Sequence, residues 1–160
     1  MKFQVAMEVI FKFEGGYVCN PNDPGGETNL GISKRSYPNC NIKNLTKEYA
    51  ALIYRMDYWD ACHCDKLPEC IRLMVFDCAV NQGAVTAKKF LQRCIGVNDD
   101  GIIGPITIKG LQGISELQLV NRFSVLRLRR YTDLTNWKHF GKGWTARLLE
   151  ISIICANMAR

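Results

Sequence analysis

Between Pro68 and Gly83 the chain reads Glu69-Cys70-Ile71-Arg72-Leu73-Met74-Val75-Phe76-Asp77-Cys78-Ala79-Val80-Asn81-Gln82, apolar on nearly every side of a helix. Pro68 suits the first turn of that helix and Gly83 its end. A helix with no polar face has to be enclosed by others, so this segment predicts a helical body built around it. The chain has 160 residues, enough for one domain with a proper core. Asp77 lies inside the apolar run, and a buried carboxylate needs a cationic partner. Arg147 and Arg55 are the candidates.

The enclosing helices are legible from their spacing. Residues 3–14 place Val5, Met7, Val9, Ile10 and Phe13 among polar residues and stop at Gly15-Gly16. Thr46 can cap a helix over 46–60 that carries Ala50, Leu52, Ile53, Met56 and Trp59. A helix over 85–95 closes at Gly96. The turn from Asn98 to Pro105 reads as structural, with a short helix following it to Gly110. Residues 115–134 predict a long helix with Leu117, Val120, Phe123, Leu126 and Leu134 on one face and Arg122, Arg127, Arg129 and Arg130 on the other. A last helix is expected from about 143, with Trp144, Leu148, Leu149, Ile151, Ile153 and Ile154. Only residues 17–32 break the helical pattern. Tyr17-Val18, the Asn/Pro/Gly-rich stretch 20–26 and Thr28-Asn29-Leu30-Gly31-Ile32 read as strand, long turn and strand. The expected fold is mainly α, a helical body with one small N-terminal β-hairpin.

Charge and cysteines narrow the function classes. Residues 1–80 hold nine Lys and Arg against ten Asp and Glu, a balance of −1; residues 81–160 hold twelve against five, a balance of +7. The basic half suits contact with an anionic cell envelope through Arg122, Arg127, Arg129, Arg130, Lys138, Lys142 and Arg147. Nucleic acid is not the expected partner, since the arginines interleave with a core-facing stripe and no recognition motif accompanies them. No apolar run approaches the roughly 18 residues of a membrane span, and no secretory signal is visible. The eight cysteines are expected to be reduced thiols, with Cys78 and Cys94 acting as small buried hydrophobes. Cys62-His63-Cys64 with Cys70 lacks the paired spacing of zinc sites, so no metal and no cofactor is assigned.

The chemistry concentrates near the hairpin. Glu14 closes the first helix, where it faces the negative end of the helix dipole; Asp23 follows nine residues on, in a polar turn, and Thr28 five further. Two carboxyls in unlike surroundings suit glycosidic cleavage: one donates a proton, the other directs water or stabilises a cationic ring.

Glu14-Gly15-Gly16-Tyr17 and the string from Asn22 to Ser33 closely resemble the signature of glycoside hydrolase family 108, the phage endolysins and related bacterial N-acetylmuramidases. The likeness continues through residues 54–60, Leu67-Pro68 and residues 76–83. The second half, with Phe90-Leu91-Gln92-Arg93, the run 100–105 and residues 140–144, is similar to the peptidoglycan-binding segment that accompanies this family. Cys19, Leu30 and Cys78 depart from the family pattern, and Cys62-His63-Cys64 has no counterpart in it.

The resemblance implies a lysozyme-like α+β fold: a single domain over 1–160, with a catalytic segment over 1–88 and a peptidoglycan-binding-like helical segment over 89–160. It implies Glu14 as catalytic acid. The order Glu14, Asp23, Thr28 also resembles the triad of phage-type lysozymes, with one residue fewer before Thr28. Tyr17, Asn29, Tyr58, Trp59, Asn81 and Gln82 are the expected substrate-binding residues. The implied reaction is hydrolysis of the β-1,4 bond between N-acetylmuramic acid and N-acetylglucosamine in bacterial peptidoglycan. The alternatives are a lytic transglycosylase acting on the same bond and a non-catalytic peptidoglycan-binding or secretion accessory protein. An endolysin is expected to be a monomer that accumulates in the host bacterial cytoplasm and reaches the periplasm and wall with a holin.

Overall fold

The computed structural model describes residues 1–19 and 26–159 and divides into two compact units, Lys2–Met56 and Asp57–Arg160 with Met1.

The first unit opens with α1, Phe3–Phe13, whose Phe3, Ala6, Met7 and Ile10 are buried at the spacing of one helix face. The helix stops at Glu14, where the backbone turns extended and the amide still donates to the Ile10 carbonyl. Three short antiparallel strands follow: β1 Val18–Cys19, β2 Glu27–Asn29 and β3 Ile32–Ser33, in the order β1-β2-β3. Val18 pairs with Thr28, and Thr28 in turn with Ser33. The expected second strand is thus two strands. Leu30 and Gly31 both take positive φ, +50° and +76°, and make a two-residue hairpin turn between Asn29 and Ile32. Thr46 caps α2, Lys47–Tyr54, by accepting from the Tyr49 amide. The helix expected to reach residue 60 instead widens into a π-helical segment, Arg55–Asp60, and the chain leaves the first unit within it.

In the second unit α3, Glu69–Gln82, buries nine of the ten side chains from Cys70 to Ala79, all but Arg72, and is packed by α4 (Ala84–Cys94), α6 (Glu116–Thr132) and α7 (Trp137–Met158). The enclosed helix expected from the sequence is present. The Asn98–Pro105 turn before α5 (Pro105–Gly110) hangs on one side chain. Gln92 donates to Asp100 and to the Ile102 carbonyl, and accepts from the Gly101 amide. Helix α7 begins six residues before the expected start. Gly141 lies inside it because a Cβ there would stand 2.7 Å from the Trp137 ring. Helix α6 buries Leu119, Val120, Phe123, Arg127 and Tyr131, whereas Leu117 and Leu134 are exposed. Arg127 therefore belongs to the core face and not to the basic face expected for it. Arg147 is also mostly buried, so the exposed basic set on α6 and α7 is Arg122, Arg129, Arg130, Lys138 and Lys142.

All eight cysteines are free, six of them buried. Burial pushes the Cys62 thiol up to about 11 and those of Cys70, Cys78, Cys94 and Cys155 up to about 12. They are protonated, unreactive hydrophobes at neutral pH. Among the described residues no group of three His, Cys, Asp or Glu is placed to hold a metal ion. No helix there is long and apolar enough to cross a membrane.

Candidate active site

Three elements of the first unit converge on Glu14. Helix α1 ends beneath it, and the Leu30 amide donates to the Gly15 carbonyl, tying the β2–β3 turn to the residue after Glu14. At the tip of that turn Gly31 leaves room for the carboxyl. A Cβ on Gly31 would stand 2.5 Å from Glu14 Oε2 and 2.9 Å from its Cδ, and closer still to the Tyr54 hydroxyl. Tyr54, on α2, is itself fixed by donating to the Leu30 carbonyl and by an edge-on contact of its ring with Phe11. Helix end, turn and buried tyrosine thus hold one half-buried carboxyl in place.

Gly31→Ala should therefore do more than strain the backbone. A left-handed residue with a Cβ costs roughly 1–2 kcal/mol, and the methyl group must also displace Glu14 or Tyr54. If Glu14 is the catalytic acid that the resemblance implies, wall hydrolysis should fall by about a hundredfold, as misplacement of a catalytic group by an ångström can cause. The melting temperature should fall by only a few degrees. Gly16→Ala is the control, because nothing lies within 4 Å of its added Cβ. If the Gly31 variant clears a wall suspension at the wild-type rate, its packing does not position Glu14.

The remaining expected residues separate. Thr28 sits half-buried on the central strand β2. Tyr17 is exposed, and its hydroxyl is pushed above the usual tyrosine range, first by loss of water and then by neighbouring Cys19 and Glu27. It is an O–H donor at neutral pH. Asp23 lies outside the described residues. Asn29 is nearly buried, with its amide donating to the Ile42 carbonyl at 3.0 Å, and so ties the sheet to the loop after it.

In the second unit Tyr58 is half-buried, but Trp59 is fully buried with its ring edge-on to Phe76 at 5.3 Å. It has no face to offer a sugar, and the stacking role expected for it is withdrawn. Asn81 and Gln82 end α3 beside a buried polar network. Asp77 receives Arg127 at 2.7 Å and Arg147 at 2.8 Å. Of the two expected partners Arg147 is present, whereas Arg55 belongs to the first unit, where it lies over the Phe3 ring. Burial opposes the charge of Arg127, yet Asp77 holds its pKa above the ordinary value. Arg127 also donates to the Tyr131 hydroxyl, which donates to Asn81 Oδ1 at 2.8 Å. An open apolar groove of about 660 Å³ between α6 and α7 has no titratable lining residue and offers no acid–base chemistry.

Arg127, expected on the basic face, and Tyr54, given no role from the sequence, are positioning residues that the sequence reading missed. Each stands at a position that patterning gives another task, one to the solvent and one to the core.

The family model for Glycosyl hydrolase 108 matches residues 7–83, and that for the Predicted Peptidoglycan domain matches residues 86–149. Among solved structures, that of SagA from Brucella abortus is similar over 99% of this chain and 95% of that one, with 34% identity and a TM-score of 0.89. No curated protein matches. The fold is the mainly α, lysozyme-like one, with Glu14 at its helix end and Thr28 on its small sheet. This chain belongs to the glycosyl hydrolase 108 family and is a glycosidase that acts on peptidoglycan and so degrades the cell wall.

Proposed function

We propose that the protein is a lysozyme, an N-acetylmuramidase of the endolysin kind, with Glu14 as its general acid. The observation that carries this reading is the seat built for Glu14 by the end of α1, the Leu30-Gly31 turn and Tyr54. Glu14 gives its proton to the bridging oxygen after an N-acetylmuramic acid residue, and the bond from that oxygen to the anomeric carbon breaks. Asp23 and Thr28 hold the water that attacks the anomeric carbon, or Asp23 stabilises the cationic ring. A separation of roughly 6.5–9.5 Å between the two carboxyls would favour inversion, and about 5–5.5 Å retention.

Tyr17, whose ring is exposed, supplies a stacking face and an O–H donor; Tyr58 is a second aromatic contact, and Asn81 and Gln82 bind substrate through their amides. The exposed basic side chains of α6 and α7 add attraction to the anionic envelope. A monomeric enzyme stored in the host cytoplasm and let through by a holin fits this reading. So does a division of labour between a catalytic segment, 1–88, and a peptidoglycan-binding segment, 89–160.

Mass analysis of purified peptidoglycan digested by the protein tests the proposal. Hydrolysis leaves a reducing muramic acid end that has gained one water. Fragments ending in 1,6-anhydromuramic acid would replace hydrolysis by transglycosylation, in which the glycan's own 6-hydroxyl attacks. An undigested wall would leave only binding.

A further inference from the structure

The network around Asp77 reaches a pocket whose polarity is set from beneath. The pocket has a volume of about 240 Å³ and is lined by Asn81, Gln82, Arg130, Tyr131, Leu134 and Trp144. The Tyr131 hydroxyl accepts from Arg127 and donates to Asn81 Oδ1, which fixes the orientation of the Asn81 amide and leaves its Nδ2 as the free donor. Gln82 is set in the same sense. The Cys78 thiol lies 3.4 Å from its Oε1, and its buried Nε2 has no hydrogen-bond partner. Trp144, stacked against Phe140 and tilted over Tyr131, has only an N–H to offer, and Arg130 brings a guanidinium at the end of α6.

Every uncommitted polar side-chain group of this lining is therefore a donor, and the Tyr131 hydroxyl is used in both directions. The charge has the same bias. Arg130 brings a guanidinium to the rim, and among the described residues no carboxylate lines the pocket. A buried donor without a partner is costly, and the ligand that relieves it beside the Arg130 guanidinium is an anion that only accepts. An acetamido group fits worse, because its own N–H would have to share an amide oxygen that already accepts from Tyr131 or Cys78. The volume suits one residue-sized group and not a disaccharide.

We propose that this pocket binds a carboxylate of the substituent carried by N-acetylmuramic acid, either the lactyl carboxylate or one from the stem peptide. The inference rests on peptidoglycan being the substrate and names the part of it that the second unit reads. It gives the enzyme a means of telling muramic acid from N-acetylglucosamine, since only the former carries such a group.

The test is an NMR titration of the full chain labelled with nitrogen-15, following the side-chain amides of Asn81 and Gln82 and the Trp144 indole. The three probes are N-acetylmuramic acid, N-acetylglucosamine and the peptide L-Ala-D-Glu-diaminopimelate. The first or the third should shift these resonances, and which of them does so identifies the source of the carboxylate; N-acetylglucosamine should not. Arg130→Ala, at an exposed position, should weaken that binding by about tenfold or more, the usual worth of a charge-assisted contact. Arg129→Ala, equally exposed, should leave it unchanged. Resonances indifferent to both carboxylates, an equal response to N-acetylglucosamine, or an Arg130 variant that binds normally would each overturn the proposal. A wild-type protein that digests the wall while ignoring the carboxylates would sink this pocket alone. One that binds them yet cleaves nothing would sink the hydrolytic reading and leave the pocket standing.

Discussion

Glu14→Gln is expected to slow wall hydrolysis by a factor of about 10² to 10⁴, the range typical of a lost general acid. The amide has nearly the shape of the carboxyl and fits beside Gly31 and Tyr54, but it has no proton of suitable acidity for a leaving oxygen. Circular dichroism and the melting temperature should stay close to those of the wild type, because Glu14 is half-buried at the end of α1 and forms no part of its core face. Glu14→Asp separates position from chemistry. It keeps the acid and withdraws it by one methylene from the Gly31 turn, so it should recover part of the activity lost by the Gln variant. Clearing of a purified wall suspension, followed over time, measures all three proteins. Wild-type turnover in the Gln variant would remove Glu14 from the role and return the Glu14–Gly31 contact to a matter of packing.

The parts of the fold that could be read in advance are those where one local rule operates without competition. Helix α3 is apolar all round and had to be enclosed, as it is. Thr46 stands where a cap is needed and makes the cap. Where a tertiary contact overrides a local preference, the sequence misleads. Leu30 hides a left-handed turn that would ordinarily announce itself with Asn or Asp, so two strands read as one. Gly141 looks like a helix breaker, yet it is the residue that admits the Trp137 ring.

Arg127 reads as part of a solvated basic face because its justification, Asp77, is fifty residues away. At the site, Glu14 was visible as a motif. Its seat was not, since Gly31 and Tyr54 reach it through the chain's return and not through spacing. Trp59 shows the opposite error: a residue type common in glycan sites here serves the core, edge-on to Phe76.

The largest effect on stability should come from Asp77→Asn. Its carboxylate is fully buried and serves two guanidiniums, of which Arg127 is also fully buried and Arg147 nearly so. Removing one partner from a buried ion pair costs about 3–5 kcal/mol, because the charge left behind is neither paired nor hydrated. Here Arg127 is left behind wholly buried, so a loss within that range is expected. That is a large share of the roughly 5–15 kcal/mol available to a domain.

The reverse change should be milder. Arg127→Met takes away a cation that burial opposes, leaves Asp77 paired with Arg147 at 2.8 Å, and puts a flexible apolar chain in the space. The order of stabilities should therefore be wild type, then Arg127→Met, then Asp77→Asn, although the two substitutions break the same contact. Urea unfolding gives the comparison, provided the slope of the transition is unchanged so that midpoints report stability. If Asp77→Asn loses less than about 1 kcal/mol, or no more than Arg127→Met, then the carboxylate is not what makes the two buried arginines tolerable.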